Sequence, residues 1–347
     1  MHVLRLQTVD AFVVFDLDDA PYAAGGTRLA PDVSEREGAL LARAMTYKFA
    51  VLNRPVGGAK GLVRVHGNER TAVMARFCEE VRPLVESRRF LTGPDLGTYE
   101  ADFAPLRTSD WEPHVLNSVV DGVAFEDVLT GFGVVVAADA ALGGLDGRAV
   151  AVEGFGKVGA GVAREVARRG GRVVAVSTLA GCVADPAGLD VDELWEARTA
   201  SGDDLVAEVG RPVLPRDALF EVEADVLVPG ARVGVVDAAR AERIRASAVV
   251  PAANVPYTAG GLTTLGARGV AAHADFVCNA AAVVGYTSPA HASQAQVLDS
   301  VERTIVELVH ASGDHKDGPF AGACAIAEAF LRTWRPADEA PPGPPLA

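Results

Sequence analysis

Gly154, Gly156 and Gly159 form a pattern whose chemistry can be recognised directly. The spacing is G-x-G-x-x-G; it follows an apolar strand predicted at 149–155 and opens a helix predicted at 157–169, which is the context that dinucleotide binding requires. The first glycine permits a tight turn, the second lets the backbone approach a pyrophosphate, and the third allows close helix–strand packing. The helix N-terminus offers free N–H groups and a partial positive charge to the phosphates. A chance glycine pattern is the alternative interpretation.

The next strand bears on the choice of coenzyme. A site that prefers NAD often has Asp or Glu at the end of this strand, bonded to the ribose 2′-hydroxyl. Here the strand ends in Val176-Ser177-Thr178-Leu179, with no carboxylate and no adjacent Arg to bind a 2′-phosphate. The sequence therefore leaves NAD and NADP open, and we favour NAD of the two.

Length and composition indicate how these elements are organised. The 347 residues predict roughly two domains. Hydrophobic residues make up 49% and charged residues 22% of the chain, close to ordinary globular values. Short apolar strands alternate with helices from 149 to 254, which predicts a parallel sheet covered by helices on both faces.

Charge and cysteine content exclude several classes of function. The 32 Lys and Arg against 46 Asp and Glu give a net charge of −14, which disfavours binding to nucleic acid or anionic membranes. No apolar run is long enough to span a membrane, and the N-terminus lacks the features of a secretory signal. The four cysteines form no C-x-x-C pair and the seven histidines no H-x-x-x-H spacing. We therefore expect a reduced, cytoplasmic protein without a metal site.

The first part of the chain contains a helix with a defined start and a glycine-rich segment. Ser34 and Glu37 form a capping-box signature, and apolar residues then recur at helical spacing, which predicts a helix over 34–50. The segment NRPVGGAKG at 53–61 is predicted to be a loop that leads into a short strand at 62–65.

Four short motifs precede the glycine pattern in a fixed order. They are GGTR at 25–28, MTYK at 45–48, GGAKG at 57–61 and TGPDLGT at 92–98. Three further segments follow it: ADVLVPGA at 224–231, PAANVPYT at 251–258 and ADFVCNAAAV at 274–283. Together they resemble the amino-acid dehydrogenase superfamily of glutamate, leucine, valine and phenylalanine dehydrogenases over about residues 20–290.

The resemblance implies a two-domain α/β fold and a redox reaction. An N-terminal α/β domain at 1–120 would hold the substrate and assemble a homo-oligomer, and a Rossmann-type domain at 121–290 would bind the coenzyme. Helices at 291–335 would pack back, and the Pro-rich composition of 336–347 predicts a disordered tail. The implied reaction is the reversible oxidative deamination of an L-amino acid to its 2-oxo acid and ammonia, with hydride passing to NAD or NADP in a cleft that closes and excludes water.

The resemblance also implies roles for two lysines and an aspartate. By position, Lys48 would bind the substrate α-carboxylate, Lys60 would be the catalytic lysine and Asp95 its acid–base partner. Desolvation and a nearby cation, Lys48, would lower the pKa of Lys60, so its neutral form could activate the water that attacks the iminium intermediate. Asp95 could carry the amine proton. Taken singly, such lysines are most often surface charges and such an aspartate is most often a turn residue.

Other positions match segments that line substrate or coenzyme in the resembled family. The further substrate-binding residues are Ala24, Gly25, Gly26, Gly58, Gly93, Asn279, Val283 and Tyr286. The coenzyme-binding residues are Gly154, Phe155, Gly156, Lys157, Val158, Gly159, Ser177, Thr178, Thr130, Gly230, Ala231, Asn254 and Asn279. The alternative for Thr130 is a helix residue that bonds its own backbone, and for the two asparagines it is a turn or buried structural role.

Two departures from the glutamate dehydrogenase pattern bear on the substrate. Those enzymes place a lysine before the first glycine pair and a serine seven residues after the asparagine of Asn-Ala-Gly-Gly-Val, and both hold the distal carboxylate. Here the two positions are Ala24 and Tyr286. A buried carboxylate without a partner is costly, so the predicted substrate is an apolar or aromatic L-amino acid, as in the apolar members of the family.

A third departure replaces two glycines, since Asn-Ala-Gly-Gly-Val here reads Asn279-Ala280-Ala281-Ala282-Val283. If either position requires a positive φ, alanine would strain it and would reshape the site or reduce activity. Two alternatives to a deaminating enzyme therefore stay open. One is a family member repurposed to reduce another oxo acid or an imine, and the other is a non-catalytic nucleotide-binding subunit.

Overall fold

The chain divides into two compact units in the computed structural model. The first comprises Met1–Pro113 and Ala325–Pro345, and the second comprises His114–Cys324 and Leu346–Ala347. The structure describes every residue except His66, Asn68, 108–114, Asp121, Ala290 and 337–338. No helix among the described residues combines the length and the apolar character needed to cross a lipid bilayer.

The first unit is built on a mixed five-stranded sheet. Its strands are β1 (His2–Arg5), β2 (Ala11–Phe15), β3 (Ala23–Ala24), β4 (Thr27–Leu29) and β5 (Gly57–Val63). β2 pairs antiparallel with β1 and with β5, whereas β3 and β4 run parallel to β5. β5 therefore lies inside the sheet, and all of its residues are buried.

Helices α1 (Glu35–Val51) and α2 (Arg70–Glu86) flank this sheet. Alternate residues of β2 serve two cores, because successive side chains of a strand point to opposite faces. Phe12 belongs to the hydrophobic core that includes Ala42 of α1, and Val13 belongs to the core that includes Phe77 of α2. Each such side chain contributes roughly 1.5–3 kcal/mol on full burial. Ser34 accepts a hydrogen bond from the N–H of Glu37 at 3.2 Å, which confirms the predicted helix start.

The predicted loop at 53–61 is wrong in its second half, because residues 57–61 belong to β5. Glycine is required there by a neighbouring element: a Cβ on Gly58 would lie 1.8 Å from the carbonyl oxygen of Ala42. Helix α1 therefore packs directly on the strand backbone, and this contact overrides the low strand preference of glycine. As a result, Lys60 extends from a buried strand rather than from a loop.

The second unit contains a six-stranded sheet and a separate two-stranded one. The pair is β6 (Val119–Val120) with β7 (Val123–Ala124), and the larger sheet has β8 (Ala149–Glu153), β9 (Arg172–Thr178), β10 (Gly181–Ala184), β11 (Val226–Val228), β12 (Ala248–Val249) and β13 (Ala271–Ala272). The larger sheet has the order β10-β9-β8-β11-β12-β13. Every neighbouring pair in it is parallel except β9 with β10, which confirms the predicted parallel sheet.

Helices surround this sheet. They are α3 (Phe125–Leu142), α4 (Lys157–Arg168), α5 (Val191–Ser201), α6 (Leu205–Glu208), α7 (Ala238–Arg243), α8 (Ala259–Ala267), α9 (Asp275–Cys278), α10 (Ala281–Tyr286) and α11 (Gln294–Gly313), and α12 (Pro319–Leu331) follows. Short 3₁₀ helices of this unit span Val115–Asn117, Gly202–Asp204 and Arg216–Glu221, and in the first unit a 3₁₀ helix spans Glu100–Leu106. Helix α3 packs against α4, α10 and α11.

The C-terminal segment, predicted to be a disordered tail, makes defined contacts in its described part. Arg43 donates hydrogen bonds to the carbonyl oxygens of Pro342 and Gly343 within the first unit. Within the second unit the N–H of Ala347 donates to the carbonyl oxygen of Tyr257 at 3.0 Å. Backbone groups of the described tail residues thus have hydrogen-bond partners.

Candidate active site

Lys60 and Asp95 lie in direct contact in the first unit. The Lys60 side chain is only 4% exposed, and its Nζ lies 3.0 Å from Oδ2 of Asp95. Lys60 comes from β5, where it pairs with Val14 of β2. Asp95 follows Pro94, which forms a bridge with Thr27 of β4. Two residues that are far apart in sequence are therefore brought together by neighbouring strands of one sheet.

Arg28 completes a charged cluster that we define as Arg28, Glu37, Lys60 and Asp95. Nε of Arg28 donates to the same Asp95 oxygen at 2.9 Å, and Nη1 of Arg28 pairs with Glu37. No role was predicted for Arg28, although it ends the GGTR motif. Its place in the GGTR motif was the signal in the sequence that could have identified Arg28 as a site residue. Its partner Asp95 is 67 positions away, so the contact itself has no local pattern.

Burial and charge act against each other in this cluster. Burial lowers the pKa of Lys60 and is the largest effect; Asp95 raises it, and the positive charge of Arg28 lowers it further. Burial alone would raise the pKa of Asp95, but Lys60 and Arg28 outweigh it and hold that pKa below its usual range. Lys48 was the cation predicted to lower the pKa of Lys60, and the structure identifies Arg28 as a cation that does so.

The loop that carries Asp95 is held by side-chain hydrogen bonds. The hydroxyl of Thr98 accepts from the N–H of Asp95 at 2.9 Å and donates to the carbonyl oxygen of Thr27 at 2.8 Å. The N–H of Thr27 in turn donates to the carbonyl oxygen of Gly93 at 2.9 Å. These bonds connect the loop to β4, so the carboxylate of Asp95 is positioned by rigid neighbours.

Two predicted substrate-binding glycines allow this close approach of backbones. A Cβ on Gly25 would lie 1.8 Å from the carbonyl oxygen of Ala59, and one on Gly26 would lie 2.6 Å from that of Pro94. Real Cβ atoms do not come so close, so both positions require glycine for packing. The same contacts place Gly25 and Gly26 against the residues that directly precede Lys60 and Asp95.

The other predicted substrate residues of this unit differ in their surroundings. Lys48 is buried in the last turn of α1. Ala24 is half-buried in β3 and forms a bridge with Leu91. A Cβ on Gly93 would have no heavy atom within 4 Å. Open space therefore lies beside Gly93, a few residues before Asp95.

The glycine pattern of the second unit has the geometry that the sequence predicted for a dinucleotide turn. Gly154 has φ +83°, which favours glycine. A Cβ on Gly159 would lie 2.0 Å from the carbonyl oxygen of Gly154, whereas one on Gly156 would meet nothing within 4 Å. Helix α4 begins after Gly156, and no side chain caps its first turn. Free N–H groups beside open space fit a pyrophosphate.

The two hydroxyl residues that end β9 differ in their hydrogen bonding. The hydroxyl of Thr178 donates to the carbonyl oxygen of Asp203 at 2.6 Å and accepts from the N–H of Ala180 at 3.1 Å. Oγ of Ser177 is buried and, among the described residues, has no hydrogen-bond partner. Such an orphaned hydroxyl is uncommon in a folded interior and is consistent with a binding site at this strand end.

Gly230 and Ala231 are held against the end of β8. The N–H of Ala231 donates to Oε2 of Glu153 at 3.3 Å, and Arg216 pairs with Oε1 at 3.4 Å. A Cβ on Gly230 would lie 2.5 Å from the carbonyl oxygen of Glu153. Burial raises the pKa of Glu153 against the effects of Ala231 and Arg216. The loops after β8 and β11 thus lie together at the carboxyl ends of neighbouring parallel strands, where ligands bind in this fold class.

Asn254 and Asn279 bond to each other. Nδ2 of Asn279 donates to Oδ1 of Asn254 and to the carbonyl oxygen of Ala252, each at 3.0 Å. The next residue, Val255, has φ +50°, which is a strained conformation for a β-branched residue. Its N–H donates to Oδ2 of Asp275 at 2.9 Å. Strain of this kind is concentrated at functional sites, which supports this segment as a candidate coenzyme-binding segment.

The remaining predicted coenzyme residues have structural partners. The hydroxyl of Thr130 donates to the carbonyl oxygen of Glu126 at 3.0 Å, as in the alternative interpretation of that residue. Nζ of Lys157 lies 3.2 Å from Asp127. The Phe155 side chain is buried, and Val158 is half-buried in the first turn of α4.

The two alanines that replace family glycines are not strained. Ala281 and Ala282 lie in or at the start of helix α10, and among the described residues neither has a positive φ. A Cβ on Gly133 of α3 would lie 2.6 Å from Cβ of Ala281, so the methyl group of Ala281 packs on a glycine. In the same helix Val283 is half-buried, and Tyr286, 43% exposed, donates to Glu126 at 2.9 Å.

Two family models match the chain. Residues 5–109 match the Glu/Leu/Phe/Val dehydrogenase dimerisation domain, and residues 122–310 match Glutamate/Leucine/Phenylalanine/Valine dehydrogenase. The chain therefore belongs to the Glu/Leu/Phe/Val dehydrogenase family. This confirms the resemblance and the two-domain α/β fold that the sequence predicted.

Relatives of this chain include glutamate dehydrogenases. The one from Thermotoga maritima is 35% identical over 281 residues, which cover 75% of this chain and 67% of that protein. An NAD-specific glutamate dehydrogenase A and an NADP-specific glutamate dehydrogenase A1 from Halobacterium salinarum are 30% and 31% identical; each match covers 80% of this chain, and they cover 68% and 71% of those proteins. The relatives of this chain thus include one named as NAD-specific and one named as NADP-specific.

Two solved structures share the fold. A hetero-hexameric glutamate dehydrogenase from Thermus thermophilus, in a leucine-bound form, has 28% identity and a TM-score of 0.77, covering 93% of this chain and 83% of that one. L-tryptophan dehydrogenase from Nostoc punctiforme has 20% identity and a TM-score of 0.64, covering 96% and 97%. The second likeness shows the fold alone.

Proposed function

We propose that this chain catalyses the NAD(P)-dependent, reversible oxidative deamination of an apolar or aromatic L-amino acid. In the forward direction the amino acid, water and the oxidised coenzyme give the 2-oxo acid, an ammonium ion, the reduced coenzyme and a proton. The observation that carries the proposal is the contact between the buried Lys60 ammonium and Asp95, 3.0 Å apart. Family membership supplies the reaction class.

Lys60 is the proposed base. Burial lowers its pKa, so a neutral amine is available at lower pH than for an exposed lysine. The neutral amine takes a proton from the water that attacks the substrate iminium carbon, and a C–O bond forms. The resulting ammonium then stabilises the hydroxyl oxygen while the C–N bond breaks and the C=O bond forms; the departing ammonia takes the hydroxyl proton and leaves as ammonium, and Lys60 afterwards releases its proton to solvent.

Asp95 is the proposed carrier of the amine proton, and Arg28 keeps it ionised. When Lys60 loses its proton, Asp95 would be left as a buried charge without compensation, which is costly. Arg28 remains charged at every relevant pH and lies 2.9 Å from the same oxygen. Loss of the Lys60 proton also removes one of the two cations that lower the pKa of Asp95, so at that stage the carboxylate can accept a proton from the substrate ammonium and later return it to the departing amine.

The coenzyme would be held by the dinucleotide turn, Gly154–Gly159, and by the loops at Gly230 and Asn254. A bound nicotinamide coenzyme supplies the acceptor for the hydride that leaves the substrate Cα. The chain's own contribution is geometric: open space at Gly156, a helix N-terminus without a side-chain cap, and the bonded pair of Asn254 and Asn279.

An apolar or aromatic substrate is proposed because the partners for a distal carboxylate are replaced. Ala24 offers a methyl group, and Tyr286 offers a ring whose hydroxyl already bonds to Glu126. Open space beside Gly93 leaves room for a larger side chain. In an apolar side-chain pocket each methylene contributes at most a few kcal/mol, so leucine, valine, phenylalanine and tryptophan all remain candidates.

The test is a panel of L-amino acids with NAD and with NADP, followed by the absorbance of the reduced coenzyme. We expect turnover with apolar or aromatic amino acids and little with glutamate. In the reverse direction the matching 2-oxo acid should be reduced only when ammonium is present. Reduction without ammonium would contradict the proposal and favour a repurposed reductase, and the absence of turnover with every substrate would favour a non-catalytic subunit.

We also propose that the chain forms a homo-oligomer through its first unit, because residues 5–109 match a dimerisation domain. Light scattering coupled to size-exclusion chromatography measures the assembled mass directly. A mass equal to that of one chain at micromolar concentration would contradict this part of the proposal.

A further inference from the structure

We propose that Arg198 binds the 2′-phosphate of NADP, so that the coenzyme site of this chain selects NADP over NAD. The inference rests on the proposed function, because it concerns the same dinucleotide site. The sequence left NAD and NADP open and favoured NAD, whereas Arg198 favours NADP.

Arg198 lies against the dinucleotide turn. It belongs to helix α5, and its Nη1 donates to the carbonyl oxygen of Phe155 at 2.8 Å. Phe155 stands between Gly154 and Gly156, so this bond holds the guanidinium at the backbone of the turn itself. The two residues are 43 positions apart, which is why no arginine was visible beside the strand end in the sequence.

The charge of Arg198 is not compensated within the described part of the chain. No described carboxylate forms an ion pair with it within 4.0 Å. Its side chain donates to the carbonyl oxygen of Phe155. A guanidinium has five N–H donors in a planar fork suited to phosphate. Arg198 is half-buried, so most of its donors remain available next to the turn.

The last residues of β9 itself carry no carboxylate that would select NAD. The ribose 2′ position of a dinucleotide lies at the end of this strand, where Asp or Glu binds a hydroxyl in NAD sites and a nearby Arg binds the phosphate in NADP sites. Ser177, Thr178 and Leu179 carry no charge, and the hydroxyl of Thr178 already bonds to the carbonyl oxygen of Asp203. That bond also ties the strand end to the segment that follows α5, the helix of Arg198.

The test compares binding of NADPH and NADH to the full chain by fluorescence titration, with Arg198→Ala as the variant. Wild-type protein should bind NADPH more tightly. In the variant we expect NADPH binding to weaken about 10- to 100-fold, as for loss of hydrogen bonds to a charged group, while NADH binding changes by no more than about threefold. Adenosine 2′,5′-bisphosphate against 5′-AMP, measured by calorimetry, repeats the comparison without the nicotinamide half.

Two further variants serve as controls. Arg198→Lys keeps the charge but not the fork, and an intermediate loss of NADPH affinity is expected. Arg245→Ala removes an exposed arginine paired with Glu223 in the same unit and should leave both affinities unchanged. Circular dichroism of each variant verifies that the fold is retained.

The possible failures are distinguishable. Equal weakening of NADPH and NADH in Arg198→Ala would place the side chain on the shared pyrophosphate and overturn the inference, as would unchanged affinities or a wild-type preference for NADH. Wild-type protein that binds neither coenzyme would overturn the proposed function itself.

Discussion

Arg28 and Lys60 contact the same carboxylate oxygen, Oδ2 of Asp95, at 2.9 and 3.0 Å. Of these two cations, Arg28 keeps its charge at every relevant pH, whereas the charge of Lys60 can be lost. The pair therefore separates two tasks within one ion cluster. Arg28 compensates Asp95 permanently, and Lys60 is left able to exchange a proton.

We predict that Arg28→Gln moves the acidic limb of the pH profile of kcat/KM for deamination to higher pH. Arg28 lowers the pKa of Lys60, so removing its charge raises that pKa, and a higher pH is needed to form the neutral amine. The expected displacement is about one pH unit. Arg28→Lys retains the charge and should keep the limb near its wild-type position. A limb that stays fixed or moves to lower pH in Arg28→Gln would show that Arg28 only supports the fold.

We predict that Lys60→Ala lowers kcat by about 10²- to 10⁴-fold, the usual contribution of a general acid–base group. Asp95→Asn should cause a loss of similar size, because an amide cannot accept the proton. Binding of the reduced coenzyme, measured by fluorescence, should be unchanged in both variants. Lys316→Ala, which removes an exposed lysine, is the matched control. A Lys60→Ala variant with nearly wild-type turnover would falsify the catalytic role.

We predict that Ala24→Lys increases the use of glutamate. The new ammonium would supply a partner for the distal carboxylate, so kcat/KM for L-glutamate relative to L-leucine should rise by about tenfold or more, which corresponds to ~1.4 kcal/mol. Ala24→Met adds similar length without charge and should not raise that ratio. If both variants change the ratio equally, the effect comes from side-chain volume, and position 24 does not face the substrate's distal end.

We predict that His273 makes the protein less stable in mild acid. Burial lowers its pKa from 6.5 to about 4. Above pH 6.5 the imidazole is neutral in both states, and between 6.5 and about 4 only the unfolded chain takes up the proton. The free energy of unfolding should therefore decrease by up to about 3 kcal/mol as the pH is lowered from 6.5 to about 4. At still lower pH His273 should cause no further loss of stability.

Urea denaturation at about pH 7 and about pH 4.5 measures this effect. In His273→Gln the difference in unfolding free energy between the two conditions should shrink. The exposed His310 of α11 provides the control His310→Gln, in which the difference should persist. An unaltered difference in His273→Gln would assign the acid sensitivity to other groups.

The dinucleotide turn could be predicted from the sequence because its causes are local. The positive φ of Gly154 and the contact of Gly159 with Gly154 involve residues five positions apart. The strand before them and the helix after them have clear apolar patterns, so motif and context were visible together.

The environment of Lys60 could not be predicted in the same way because its causes are distant in sequence. The glycines at 57 and 58 have the composition of a loop, yet Gly57 packs against Ala20 and Gly58 against Ala42 of α1, and both belong to a buried strand. Arg28 and Arg198 act through partners 67 and 43 positions away. No local pattern reports such contacts, so the sequence identified Lys60 and Asp95 through a resemblance and missed the two arginines.

The packing of Ala281 on Gly133 has an evolutionary consequence. The interface between α3 and α10 has room for one methyl group, since a Cβ on Gly133 would lie 2.6 Å from that of Ala281. Homologous sequences should therefore show covariation at these two sites, with alanine tolerated at either site provided the other is glycine. A compensating exchange, Gly133→Ala with Ala281→Gly, would then require in addition only a small shift of the Ile305 side chain, whose Cδ1 would lie 2.9 Å from the new Cβ.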